Sequence, residues 1–408
     1  MIFLLLAGIF FTSIPFFYAC LYPLFFLQTT VYWHSLCNAS KCKKIYYGFL
    51  VGFLVQTINC VWLIKPLYQY ASLLSLCSIV LALGLTGGVY TSLWFYLLQI
   101  KELGYIALIQ NSCITAAYWY CMIYVQFWYT GCIEGNPFIN PIIFLVQAEC
   151  ALPVFCGYGR WGLALWIFTL AFFMWLLTYF FLKNSRCLFF ILLTALYIWP
   201  KQKYDNWLHQ STQIIFAQDL ENIEFESSYI AQTIIAKKIK QAQCKGPCIV
   251  VFPESLYQYR LTDELIDRLR QYVQPGSIVL LGAVSSYDCT RYNSICSFDE
   301  QGNSKFFYKN HAVPCVERKI IGNLFSIGQK YYDVPEKMDS RFVVFKNRVY
   351  EIIICSELYY HTYTPTKESN YLIFVHNHTW LQAKYIQKLA RTACIVYAVM
   401  HNKKIIVK

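Results

Sequence analysis

RVYEIIICSELYY, residues Arg348 to Tyr360, is the stretch that decides how this chain folds. Val349, Ile352, Ile353 and Ile354 form a short β-branched block of the kind found in a core strand covered on both faces; a half-exposed strand would alternate apolar and polar residues. The run stops at Cys355, which puts a thiol at a strand tip, with Ser356 and Glu357 directly behind it. Loops at strand ends carry chemistry. A free cysteine is equally at home as a small buried hydrophobe, and this chain has 18 of them, so Cys355 acquires meaning only through partners elsewhere.

Those partners lie on either side of it, in a half of the chain whose short β-rich runs alternate with amphipathic helices, the pattern of a layered α/β domain. Gln213 to Ala217 reads as a strand and Ser227 to Gln243 as a helix. Cys248 to Phe252 reads as a second buried strand, and it ends in Pro253-Glu254-Ser255, so a carboxylate sits at this tip as the thiol sits at the later one. Leu261 to Tyr272 is a helix with acids early and arginines late, which suits the helix dipole. Ser277 to Val284 is a strand, and Tyr292 to Phe307 is a hairpin turning at Glu300 to Asn303 and running into Lys309. Phe342 to Phe345 and Val349 to Ile354 pair around Lys346-Asn347. Tyr371 to Val375 is a last strong strand, ending at His376-Asn377-His378-Thr379-Trp380 before a helix from Leu381 to about Ala393.

The first 200 residues differ. They hold eight of the 34 basic and three of the 22 acidic residues, in a chain that is 57% hydrophobic and 19% aromatic, which reads as a membrane half preceding a water-soluble one. Met1 to Trp33, broken by Pro15 and Pro23, reads as a retained hydrophobic hairpin or broken helix pair. Further spans are expected near Ile45 to Ile64, Tyr70 to Leu98, Leu103 to Tyr129, Trp161 to Leu182 and Cys187 to Trp199, giving six or seven crossings of roughly 20 residues each. Lys41, Lys43 and Lys44, then Lys101, then Lys183 and Arg186 fall in alternate loops, which places those loops in the cytoplasm and everything beyond Pro200 outside it. The net charge of +12 never gathers into a basic face interleaved with aromatics, so no nucleic-acid partner is expected and anionic lipid headgroups account for the charge. Gly87 and Gly88 read as helix-packing notches.

A Glu, a Lys and a Cys, each at the end of an apolar strand, make a chemically complete set. A thiolate attacks a carbonyl, a carboxylate serves as base, and an ammonium stabilises the oxyanion. Val250 to Glu254, the run Tyr308-Lys309-Asn310-His311-Ala312-Val313-Pro314-Cys315-Val316-Glu317, Cys355-Ser356-Glu357, and Asn377-His378-Thr379-Trp380 together resemble the nitrilase (carbon–nitrogen hydrolase) superfamily. Within it the chain is similar to the membrane-embedded apolipoprotein N-acyltransferases, and Gly48 to Ile64 and Gly135 to Phe138 extend that similarity into the membrane half.

The resemblance implies a polytopic α-helical membrane half, residues 1–200, followed by a nitrilase-like αββα sandwich, residues 201–408. It implies Glu254, Lys309 and Cys355 as the catalytic triad. Glu317, Ser356 and Glu357 would stand around the oxyanion or hold Lys309 and the acceptor amine, and Asn377 and Trp380 would belong to a substrate loop. The acyl donor would be a membrane phospholipid and the acceptor a lipoprotein, with no cofactor and no metal. Ser356 and His378 replace an aromatic and an Asp of the family pattern. The chain also ends soon after Met400-His401-Asn402, a shortened plan that resembles the TraB-type conjugal transfer proteins and makes a conjugation-machinery protein the alternative acceptor. In the outer half, the six cysteines other than Cys355 could form up to three disulfides, though Cys248 and Cys394 fall in apolar runs.

Overall fold

The computed structural model describes residues 2–61, 73–100, 104–124, 159–183, 213–220, 225–243, 246–259, 261–287, 290–309, 341–355, 357, 367–377 and 401–407, with single positions among 185–194 and 387–398. Contacts divide the chain into two compact units.

The first unit is helical: α1 (Ile2–Phe17), a 3-10 run (Ala19–Leu27), α2 (Gln28–Leu36), α3 (Lys41–Cys60), α4 (Leu73–Leu97), α5 (Tyr105–Tyr124) and α6 (Gly159–Leu182). Pro15 lies inside α1 and Pro23 inside the 3-10 run, so the first apolar stretch is a broken pair of helices. The α3 N-terminus is capped by the Ser40 hydroxyl, which accepts from Lys43 N. Helices α3 and α4 pack backbone to backbone through glycines. A Cβ at Gly52 would lie 2.2 Å from the Gly87 carbonyl oxygen, and one at Gly87 would lie 2.6 Å from Gln56 Cβ. Gly87 and Gly88 are thus packing notches. Inside the bundle, polar groups find one another: the indole N–H groups of Trp94 and Trp175 both donate to Thr115 Oγ1, at 3.1 and 2.9 Å.

Outside, α4 exposes Leu74, Leu81, Leu85, Val89 and Leu93 along one stripe. Among the described residues, two helical stretches, Leu76–Leu97 and Ala164–Leu182, are long and apolar enough to cross a membrane. The remaining expected spans either carry buried polar residues, such as Gln56 and Asn59 in α3 and Asn111, Ser112 and Thr115 in α5, or fall largely outside the described residues.

The second unit is an α/β domain of two sheets. The first sheet runs in the order β1 (Ile214–Phe216), β2 (Ile249–Val251), β3 (Ile278–Tyr287), β4 (Thr290–Asp299), β5 (Ser304–Tyr308). Strands β1 to β3 are parallel and β3 to β5 antiparallel. The second sheet holds β6 (Phe342–Phe345), β7 (Arg348–Ile354), β8 (Tyr371–Val375) and β9 (Lys404–Ile406), with only the β6/β7 pair antiparallel. Lys346 and Asn347, at φ of 47° and 60°, give the β6–β7 turn the two left-handed residues that a tight hairpin demands.

Strand β2 shows why the apolar runs are continuous. Val250 and Phe252 face a core shared with α7 (Ser228–Ala242) and α8 (Asp263–Arg270), whereas Ile249 and Val251 face a second core shared with Ile352 and Ile354 of β7. A helix layer, a sheet, an apolar seam and a second sheet therefore stack in that order. The expected helix from Leu381 to Ala393 lies largely outside the described residues. Helix α8 is set by local rules: Thr262 caps it by accepting from Leu265 N, Asp263 and Glu264 open it, and Arg268 and Arg270 close it. Arg270 then donates to the carbonyls of Asp299 and Gly302, pinning the β4–β5 turn.

Two features were not anticipated. Strand β9 emerges at the end of the chain and pairs with β8, and β3 and β4 form one long hairpin with ten register pairs. Glu351, a carboxylate in the buried block of β7, is satisfied by the Ser369 hydroxyl at 2.6 Å.

Candidate active site

The chain leaves β2 under tight geometric control. Phe252 N donates to Leu280 O at 2.8 Å, and Tyr257 N donates to Gly282 O at 3.0 Å, so Pro253, Glu254 and Ser255 must arch across β3 between those two bonds. The arch rides directly on Gly282, where a Cβ would lie 1.9 Å from the Pro253 carbonyl oxygen. Ser255 takes a φ of 53°, a left-handed conformation that costs a non-glycine residue roughly 1–2 kcal/mol. The arch aims the Glu254 side chain inward, where it is buried.

There Glu254 Oε1 accepts from two donors, Lys309 Nζ at 2.7 Å and Asn293 Nδ2 at 2.8 Å. Lys309 follows β5 and is itself buried; its backbone N–H donates to Asn293 O at 2.8 Å, continuing the β4–β5 ladder by one residue. A charged pair out of water persists only when hydrogen bonds compensate both partners, and the Asn293 amide supplies one. The Ser255 hydroxyl donates to Asn293 Oδ1 at 3.1 Å.

Cys355 follows β7 with a φ of 45°, half-buried and packed against the apolar seam between the sheets. Its turn is held from below by Glu357, whose Oε2 accepts from Ile354 N at 3.0 Å and pairs with Arg341. Both members of that pair are buried, and Arg341 O accepts from Ile352 N at 2.9 Å. The two sheets meet at this end. Ile354 and Val375 are register partners; one residue beyond Ile354 is Cys355, and two beyond Val375 is Asn377, whose Nδ2 donates to the Glu254 backbone carbonyl at 3.2 Å. The C-terminal ends of β2, β7 and β8 thus converge, and Lys309 reaches the same point from β5.

Of the residues singled out in the sequence, Glu254 and Lys309 are in direct contact and Asn377 joins them. Glu357 is tied to Arg341 and the Cys355 turn. Glu317, Ser356 and Trp380 lie outside the described residues, as does His378. Asn293, Ser255 and Arg341 were missed as partners. For Asn293 the signal was an amide inside a strand, a place where Asn is depleted unless something requires it.

The other cysteines in this unit separate cleanly from Cys355. Cys248, Cys296 and Cys394 are buried free thiols, and burial, with Asp263 adding to it, pushes the Cys296 thiol up to about 12. Burial raises the Cys248 thiol as well, so these two are core residues that stay protonated. Cys244, Cys289 and Cys315 lie outside the described residues.

No family model and no curated protein matches the chain. Among solved structures it is similar to a CN-hydrolase superfamily protein from Xanthomonas campestris, whose crystal structure carries an arsenic adduct in the active site. The identity is 14%, the match covers 42% of this chain and 67% of that one, and the TM-score is 0.31.

The geometry makes Gly282 a sensitive point. Gly282→Ala forces its methyl into the Pro253 carbonyl, so the arch carrying Glu254 must lift off β3. We expect a loss of about 1–3 kcal/mol, the usual cost of overpacking, read as a lower thermal midpoint of the full-length protein in detergent. An unchanged midpoint would show that the arch has room to move.

Proposed function

We propose that the protein is a membrane-bound acyltransferase of nitrilase type, moving a fatty acyl group from a phospholipid through a thioester on Cys355 to the N-terminal amine of a lipoprotein. The buried contact of Glu254 with Lys309, at the sheet end where the Cys355 strand terminates, is the observation that carries this reading. Glu254 takes the thiol proton as sulfur attacks the ester carbonyl, and Lys309 faces the oxyanion. When the C–O bond breaks, the lysophospholipid oxygen takes that proton back. The acceptor amine then attacks the thioester, giving its proton to Glu254; the C–S bond breaks and the proton returns to sulfur. Atoms and charge balance without a cofactor.

The lipid donor requires contact with a bilayer, which the exposed apolar stripe of α4 and the two apolar helices support. In this reading the site faces the periplasmic side of the bacterial inner membrane, and the alternation of Lys41 to Lys44, Lys101, and Lys183 with Arg186 supports it. An alkaline phosphatase fusion after Pro200 should therefore be active and a cytoplasm-only reporter silent; the reverse pattern would sink the topology. Mass spectrometry of the purified protein tests the chemistry, since an acyl adduct should be present and should vanish in Cys355→Ser. Absence of any adduct, with function intact in Cys355→Ala, would favour a TraB-type conjugal transfer factor that uses the domain to bind and not to catalyse.

A further inference from the structure

We propose that Asn293 is a positioning residue that fixes Glu254 and Lys309 relative to one another; this rests on the acyltransferase reading above. Three bonds carry the inference. Asn293 Nδ2 donates to Glu254 Oε1, Asn293 O accepts the backbone N–H of Lys309, and Ser255 Oγ donates to Asn293 Oδ1. The third sets the other two, because an amide whose oxygen is occupied by a hydroxyl must turn its NH₂ toward the carboxylate. Asn293 is buried, in the middle of an antiparallel strand, where a buried amide is stable only if its donors and acceptor are used.

The chemistry explains why the site needs a second donor on that oxygen. An ammonium has three N–H donors, and one of those of Lys309 goes to Glu254. If Lys309 were the sole donor on that oxygen, the two charges would settle wherever their attraction is greatest, and a developing oxyanion would compete with Glu254 for the same cation. A neutral donor sharing Oε1 holds the carboxylate in place without adding charge. Glu254 can then exchange protons with sulfur and amine from a fixed position while Lys309 attends to the oxyanion. Asn293 does this from β4, Lys309 from the end of β5, and the ladder bond between them makes one rigid unit of the two.

The test follows acyl loading of the full-length protein in vesicles of phosphatidylglycerol containing an alkyne-tailed analogue, in a single turnover, with protein level and thermal midpoint measured alongside. Asn293→Ala is expected to lower the maximal loading rate roughly 10-fold or more, the worth of a hydrogen bond to a charged group, while the mole fraction of lipid for half-maximal loading stays unchanged. Asn293→Asp, with the same shape but no donor, should be as slow. Ser255→Ala leaves the donor present but free to turn, so its effect should be smaller, and combined with Asn293→Ala it should add nothing. The Ser255 variant also keeps the question open should the Asn293 variants fail to fold. Wild-type maximal rates in Asn293→Asp and Ser255→Ala would overturn the positioning role while leaving the acyltransferase reading intact. A wild-type protein that takes no label, or a Cys355→Ala variant that does, would overturn both.

Discussion

Cys355→Ala is expected to abolish the hydroxylamine-sensitive acyl label, with protein level and thermal midpoint close to wild type. The thiol sulfur is the one atom of this protein that becomes acylated in the proposed scheme, and Cys355 is half-buried at the edge of the seam, so its loss leaves a small gap and no unpaired charge. Glu254→Gln should also abolish loading, because the amide cannot accept the thiol proton. Lys309→Met should lower it by about 10²–10³, the usual cost of removing one oxyanion-stabilising donor from a water-poor site. These two variants carry a second cost that Cys355→Ala does not. Glu254 and Lys309 are buried against one another, and removing one partner of a buried pair costs about 3–5 kcal/mol. The Glu254→Gln and Lys309→Met variants should therefore melt lower, and rates must be normalised to folded protein. Label retained in Cys355→Ala would end the acyltransferase reading outright.

Much of this site could be read from the chain because its parts are local. An apolar run followed by Pro253-Glu254 is a strand and its tip, and the block ending at Cys355 is another. Lys346-Asn347 between two such runs is a hairpin. Each of these needs only a few consecutive residues. Asn293 and Arg341 needed the fold. Asn293 matters because the β3–β4 hairpin sets it opposite Val284 and the β4–β5 ladder continues from it to Lys309, and neither register is written in the residues around it. Arg341 precedes a strand that looks ordinary by itself, and its partner lies beyond the next strand. Strand β9 was invisible for a related reason: Lys404 to Ile406 is too short to stand out until β8 offers it an edge. The helical unit was legible as apolar, but hydropathy alone did not reveal which helices bury amides, as α3 does with Gln56 and Asn59 and α5 with Asn111.

Arg341→Leu should destabilise the domain more than any other single change away from the triad. Arg341 and Glu357 are both buried, and their pairing does more than neutralise charge: the same Glu357 oxygen accepts the Ile354 backbone N–H, which fixes the last residue of β7 just before Cys355 turns to a φ of 45°. A left-handed non-glycine residue costs roughly 1–2 kcal/mol and persists only where its surroundings hold it. Arg341→Leu breaks a buried ion pair, and we expect a loss of about 3–5 kcal/mol together with relaxation of the Cys355 turn. Pairing it with Glu357→Leu removes the buried carboxylate as well, so the double variant should melt above Arg341→Leu alone. It should not regain acyl loading, because nothing then holds the Ile354 N–H and the thiol is free to swing. Thermal midpoints and single-turnover loading on the two single variants and the double variant separate these effects. Additive losses of stability would mean that the two side chains do not act as a pair. Full loading in the double variant would mean that Cys355 keeps its position without the Glu357 clamp, and the strand tip itself would have to be rigid enough to aim the nucleophile.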